Sequence, residues 1–300
     1  MDLSVTIGNS VLPNPVGVAS GTFGFGEEYG QLIDLSRLGA VYAKAVTLEP
    51  RPGNDTPRMV ETPSGMLNSI GLANPGWEGF KEKKAPFLKD MACPAVLNIG
   101  GKKEEDYLEL VEKCEDLDCH WGYEINISCP NVKAGGLAFG TDPIQVEKLT
   151  KKLRPLTKKP LIMKLTPNVT DIGEIAKAAE AGGADGVSAI NTLKGMVIDT
   201  RAKKPVIPAG VAGLSGAAVR PVGVASVYRI AQSVKIPVIG LGGIFTADHA
   251  IQYLLAGASA IQVGTALFVD PQIPLQVLEG IREYMEQNGF NSLSDFHGYL

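Results

Sequence analysis

PVIGLGGIFTADHAIQYLLAGASAIQVGTALF, residues 237–268, carries the pattern that decides the fold. A short β-branched run, Pro237–Leu241, ends in glycines. An amphipathic stretch, Ala247–Ala256, follows, and a second apolar run, Ala260–Gly264, again ends in glycine. Runs this short and this uniformly apolar suit strands covered on both faces, as in a parallel sheet with helices packed outside it. Outward from here the same unit recurs. Strands are expected at Val16–Ser20, Val41–Thr47, Pro94–Ile99, Tyr123–Ser128, Leu161–Leu165 and Gly186–Asn191, with helices such as Glu104–Leu117, Pro143–Leu156, Asp171–Ala181, Ala217–Val234 and Pro271–Asn288. Ile172, Ile175, Ala176 and Ala179 give one helix its apolar face, with Asp171 at its first turn. Gly182, Gly183 and Gly257 follow helix ends, where a left-handed cap favours glycine.

Eight strands alternating with helices predict an α/β fold, a (β/α)8 TIM barrel. A doubly wound open sheet is the rival. The barrel is preferred because nearly every strand ends in polar residues or glycine: Ser20-Gly21-Thr22, Lys44, Asn98, Asn126, Lys164, Asn191-Thr192, Gly242-Gly243 and Gly264-Thr265. A barrel gathers these ends on one face, where active sites are built; an open sheet would spread them along an edge. Two stretches, 48–76 and 192–216, exceed ordinary barrel loops and contain short extended pieces. They are expected as inserted loops and small hairpins at the C-terminal face.

A length of 300 residues fits one large domain or two smaller ones. No linker, repeat beyond the βα unit or low-complexity tract divides the chain, so a single domain over 1–300 is expected. Apolar residues are 45% and charged residues 20%, which excludes a mainly disordered chain. Lys plus Arg number 28 against 32 Asp plus Glu, a net charge of −4, which argues against a nucleic-acid partner. No apolar run has the roughly 18 residues of a membrane span. The start, MDLSVTIGNS, has neither the basic nor the apolar region of a signal peptide, so a cytoplasmic protein is expected. Cys93, Cys114, Cys119 and Cys129 form no C-x-x-C pair, and with His120, His249 and His297 they make no metal-ligand spacing. No metal site is expected, and buried apolar packing is the ordinary role of each cysteine.

The glycines that end the last two strands, with GLSG at 213–216, let backbone N–H groups approach an anion, and loops after strands 7 and 8 are a frequent phosphate site in barrels. Each glycine alone would serve equally as a turn; together they point to a mononucleotide phosphate. Lys44 and Lys164 close the apolar runs VYAKAVT and LIMKLTP. Such a lysine either snorkels to the surface or aims its charge at an electron-rich ligand, for which a flavin is suited. Asn98, Asn126 and Asn191 end strands that asparagine disfavours, and a carboxamide can both donate to and accept from a ring bearing amide and carbonyl groups. Cys129, in INISCPN, either packs or offers a thiol for proton exchange.

The motifs ASGTFGFG (19–26), AKAVT (43–47), NSIGLANPG (68–76), NISCPNVKAGG (126–136), INTLKGM (190–196), GLSG (213–216), GLGGI (240–244) and VGTALF (263–268) together resemble the dihydroorotate dehydrogenases of pyrimidine biosynthesis, over essentially the whole chain. The resemblance implies that FMN lies at the strand ends, touched by Ser20, Lys44, Ala45, Asn98, Asn126, Lys164, Ile190, Gly216, Gly242, Gly243, Gly264 and Thr265. It implies that dihydroorotate is held by Lys44, Asn68, Ser69, Ile70, Gly71, Leu72, Asn126, Asn191 and Thr192, and is oxidised to orotate. Cys129 would remove the C5 proton while hydride leaves C6. Cysteine there looks like class 1, and GLANPG like the catalytic subunit of subclass 1B. That subclass passes electrons to a partner subunit carrying FAD and a [2Fe–2S] cluster, then to NAD, from a homodimer core within a heterotetramer. VAGLSGAA stands where GGLSGPA is expected, a departure that touches packing more than chemistry. The other readings are a fumarate-dependent subclass 1A homodimer, a flavin barrel similar to tRNA dihydrouridine synthases, which the acidic charge disfavours, and a catalytically silent binding barrel.

Overall fold

A computed structural model describes residues 1–128 and 139–300. Eight parallel strands close into a barrel: β1 (Val16–Val18), β2 (Ala40–Tyr42), β3 (Ala95–Gly100), β4 (Gly122–Asn126), β5 (Leu161–Lys164), β6 (Gly186–Ala189), β7 (Val238–Leu241) and β8 (Ala260–Val263). They follow one another around the barrel in chain order, β8 pairing with β1. Almost every strand position is buried, because helices cover the outside while side chains fill the inside. Each fully buried aliphatic or aromatic side chain contributes roughly 1.5–3 kcal/mol to holding strand against helix. The rival open sheet is therefore excluded.

The helices are α1 (Gly76–Lys83), α2 (Ala85–Lys89), α3 (Glu104–Glu115), α4 (Pro143–Leu153), α5 (Ile172–Ala181), α6 (Arg220–Ala231), α7 (Ala247–Leu255) and α8 (Ile273–Asn288). Local chemistry sets their starts. Asp142 accepts from Ile144 N at 2.9 Å with Pro143 in the first turn of α4, and Asp171 accepts from Gly173 N at 2.8 Å to open α5. Of the three expected left-handed glycine caps, Gly183 (φ 94°) and Gly257 (φ 103°) take positive φ. Gly182 does not: it stays right-handed at φ −75°, one residue short of the reversal.

Each long insertion contains a short hairpin, as expected, Met59–Thr62 with Gly65–Asn68 in the first and Ile198–Asp199 with Lys204–Pro205 in the second, and the two insertions also pair with one another. Strands Met59–Thr62 and Gly65–Asn68 from the first, with Ala212–Ser215 and Leu193–Gly195 from the second, join into one four-stranded antiparallel sheet. Leu67, Ile207 and Ala212 bury beneath it as a small core of their own. At the opposite end, an N-terminal hairpin (Val5–Ile7, Ser10–Leu12) places fully buried Ile7 against Gly186 at the start of β6, covering the N-terminal mouth. None of the described helices is long and apolar enough to cross a membrane.

Candidate active site

The C-terminal rim gathers the expected residues from separate strands. Ser20 follows β1; Lys44 and Ala45 follow β2; Asn126 and Lys164 end β4 and β5, opposite one another in register; Ile190, Asn191 and Thr192 follow β6. Asn98 departs from expectation. It lies inside β3, two residues short of the end, fully buried and facing the barrel interior, because the strand runs on to Gly100.

Lys164 is buried, and its Nζ donates to Ser20 Oγ at 3.4 Å and to Glu124 Oε2 at 3.1 Å. Lys44 is half-buried and has no carboxylate partner among the described residues. Asn191 Nδ2 donates to Ser128 Oγ at 2.9 Å and to Asn126 Oδ1 at 3.4 Å, so the two carboxamides form one polar edge. Thr192 is fixed through its carbonyl, which accepts from Asn168 Nδ2 at 2.9 Å.

On the other side of the rim the glycine loops meet. Gly243 has φ 68°, a region side chains rarely adopt, and a Cβ there would lie 2.8 Å from the Gly216 carbonyl oxygen. Only glycine permits that approach. Thr265 Oγ1 donates to Ser215 Oγ at 2.8 Å, tying the loop after β8 to the same place, and Gly242 and Gly264 complete the cradle. Asn68 Nδ2 donates to the Gly213 carbonyl at 3.4 Å, which links the two insertions. Asn54 holds the run behind it: its Nδ2 donates to Ser69 Oγ at 2.6 Å and its N–H to the Ile70 carbonyl at 3.2 Å. Gly71 turns the chain at φ 72°, and Leu72 then comes within van der Waals reach of Gly100 at the end of β3.

Cys129 lies outside the described residues. Cys93, Cys114 and Cys119 are free and buried; burial pushes the thiols of Cys93 and Cys119 up to about 12 and about 11, which suits packing rather than chemistry. Among the described residues no group of three His, Cys, Asp or Glu could hold a metal ion.

Sequence reasoning missed Glu124, Ser188 and Gln262, all fully buried inside the barrel, where Ser188 and Gln262 both donate to Glu124. The signal was available: a glutamate in the apolar run YEINI is as costly as the lysine in LIMKL. Burial pushes the Glu124 carboxyl up, but the Lys164 ammonium and bonds from Gln262, Ser188 and Asn98 outweigh it and hold the group below its usual range.

A family model described as Dihydroorotate dehydrogenase matches residues 2–285. A protein of Alkaliphilus metalliredigens named dihydroorotate dehydrogenase B (NAD(+)), catalytic subunit, is 52% identical over 300 residues, covering 100% of this chain and 99% of that one. Relatives of the same name from Bacteroides fragilis and Thermoanaerobacter pseudethanolicus are 50% and 49% identical, each over 100% of this chain and 99% of their own. Among solved structures, DHODH from Eimeria tenella in complex with ferulenol superposes with a TM-score of 0.80 at 22% identity, over 98% of this chain and 87% of that one, a likeness of fold. With the barrel, the glycine cradle and the lysine–asparagine rim in place, these matches settle the lineage: the chain belongs to the dihydroorotate dehydrogenase family.

Proposed function

We infer that this chain is the catalytic subunit of an NAD-linked dihydroorotate dehydrogenase, oxidising (S)-dihydroorotate to orotate in pyrimidine biosynthesis. The observation that carries the reading is the rim itself. Lys44 with no carboxylate partner among the described residues, the joined carboxamides of Asn126 and Asn191, and the Gly216–Gly243 cradle stand at the same ends of one barrel. The identity of about 50% to full-length relatives named for this activity supports it.

The residues present fit FMN. The cradle has no space for a Cβ, as expected where backbone amides would meet a phosphate, and the buried Asn98 Oδ1 has no partner among the described residues, leaving an acceptor open. Gly216, Gly242, Gly243, Gly264 and Thr265 would hold the phosphate, and Ser20, Ala45, Asn98, Asn126, Lys164 and Ile190 the ring, with Lys44 between cofactor and substrate. Bound FMN supplies the hydride acceptor for oxidation at C6. Lys44 pairs with the substrate carboxylate, while Asn68, Asn126, Asn191 and Thr192 donate to and accept from the ring amides. The Ser69–Leu72 run walls the substrate in, excluding water from the reacting carbons. Cys129 Sγ takes the C5 proton as the neighbouring bond is oxidised. The whole of 1–300 forms one FMN-binding barrel domain working in the cytoplasm.

NAD as final acceptor follows the relatives' names rather than fumarate, and the words "catalytic subunit" in those names point to a separate electron-transfer subunit. The chain has no C-x-x-C pair and no G-x-G-x-x-G after a strand, so the FAD and [2Fe–2S] carriers belong on that partner. We place the chain as a homodimer core within a heterotetramer.

Rapid mixing of each half-reaction tests this. Cys129→Ala is expected to keep its FMN while dihydroorotate reduces it at least about 100-fold more slowly, the range general-base catalysis supplies. Reduced wild-type enzyme is expected to be reoxidised by NAD with the partner present and not by fumarate. A wild-type rate in the variant, or rapid reoxidation by fumarate, contradicts the corresponding assignment.

A further inference from the structure

Glu124 takes no part in the steps above, yet four side chains donate to its carboxylate. It lies in mid-β4 with no solvent exposure. Its Oε2 accepts from Asn98 Nδ2 at 2.6 Å and Lys164 Nζ at 3.1 Å; its Oε1 accepts from Ser188 Oγ at 2.8 Å and Gln262 Nε2 at 2.9 Å. The donors come from β3, β5, β6 and β8, so four strands fix one carboxylate.

Stability is a poor reason for this arrangement. Branched apolar side chains usually fill a barrel's interior, and replacing a buried ion pair with apolar residues is often neutral or stabilising. What the arrangement does is hold an ammonium still. Of the three Lys164 N–H groups, Glu124 takes one and Ser20 Oγ a second, and with no further partner among the described residues the third is left for a ligand. Register places Glu124 opposite Ile162, two residues deeper than Lys164, so the negative charge sits on the floor side of the positive one. The field at the rim is that of a close pair rather than of a lone cation, and it is strong because both groups are dry.

We propose that Glu124 is the positioning residue for Lys164, fixing its ammonium at the rim and partly cancelling its charge, and so sets the reduction potential of the cofactor that would bind there. This rests on the reading that FMN lies against Lys164. The sign follows directly. Reduction adds negative charge to the flavin, so an ammonium freed from its carboxylate stabilises the reduced form and raises the potential.

The experiment is a spectroscopic potential measurement on the FMN-loaded protein against a reference dye, with flavin content recorded alongside. Glu124→Gln keeps the shape and removes the charge. At fixed dye poise its ratio of reduced to oxidised flavin is expected to rise about tenfold, ~30 mV for a two-electron couple. Glu124→Asp, with the carboxylate withdrawn by one methylene, is expected to move the same way by less, and it decides the matter if the glutamine variant fails to fold or to hold flavin. Reduced-to-oxidised ratios within twofold of wild type in whichever variants load, with only stability or flavin content lowered, reduce Glu124 to a structural group and overturn the proposal. A wild-type protein that binds FMN and is bleached by dihydroorotate, paired with unshifted variants, sinks this inference alone. A wild-type protein that takes up no flavin sinks the functional reading with it.

Discussion

Lys164 and Glu124 are two charges that neither strand could bury alone. With Lys164 removed, Glu124 would keep three neutral donors but lose its one counter-charge among the described residues. Lys164→Met is therefore expected to cost about 3–5 kcal/mol in denaturant unfolding. The pH dependence has a definite sign. The folded carboxyl is held below the ordinary glutamate value of 4.5, so its contribution is fully present above that value and is lost as acid carries pH through the lower folded value. Glu124→Gln should flatten this acid loss in a pH series of melting temperatures; an unchanged acid limb would show that Glu124 does not supply it. Lys164 was legible in the sequence because a cation closing an apolar run has few explanations. Glu124 was not, because its meaning depends on donors from four strands far apart in the chain. Asn98 was read at a strand end for a related reason: its polarity marked an edge, whereas a buried carboxylate beside it makes mid-strand tolerable.

At the scale of elements, all eight barrel strands were legible because continuous apolar runs between glycines and prolines have one simple use in an α/β chain. The insertions were legible as loops carrying small hairpins, but not in how they pair with each other. Their pairing into one sheet joins residues about 150 positions apart, such as Ser215 with Met66, which no local pattern encodes. Helices α1 and α2 were also silent. Gly79 weakens the first and Pro86, in the opening turn of the second, reads as a break, while only Trp77, Phe80, Ala85 and Leu88 bury an apolar side. The joined sheet makes its own prediction. A Cβ on Gly65 would stand 2.5 Å from the Ser215 carbonyl oxygen, and Ser215 accepts from Thr265 at the glycine cradle. Gly65→Ala must shift that strand. It is expected to raise KM for dihydroorotate and weaken FMN retention roughly tenfold each, since misplacing a binding wall by a fraction of an ångström carries costs of this order. The barrel's melting temperature should stay near wild type. Unchanged KM and flavin content would show that the sheet is not coupled to the site.

At the scale of the whole molecule, barrel closure does the work that sequence distance obscures. Ser20 and Lys164 stand 144 positions apart and share a hydrogen bond; Asn126 and Asn191 stand 65 apart and share another. A closed parallel barrel places every strand end on one rim, so polar residues scattered along the chain become one site, while the N-terminal hairpin covers the other mouth. The central claim is that this rim holds FMN and passes it two electrons from dihydroorotate. Anaerobic titration of the purified, FMN-loaded chain with dihydroorotate, followed by flavin absorbance, tests it most directly. The account predicts bleaching that runs to completion as substrate is added, with orotate formed in step with flavin reduced. A flavin that stays oxidised in excess dihydroorotate would contradict it.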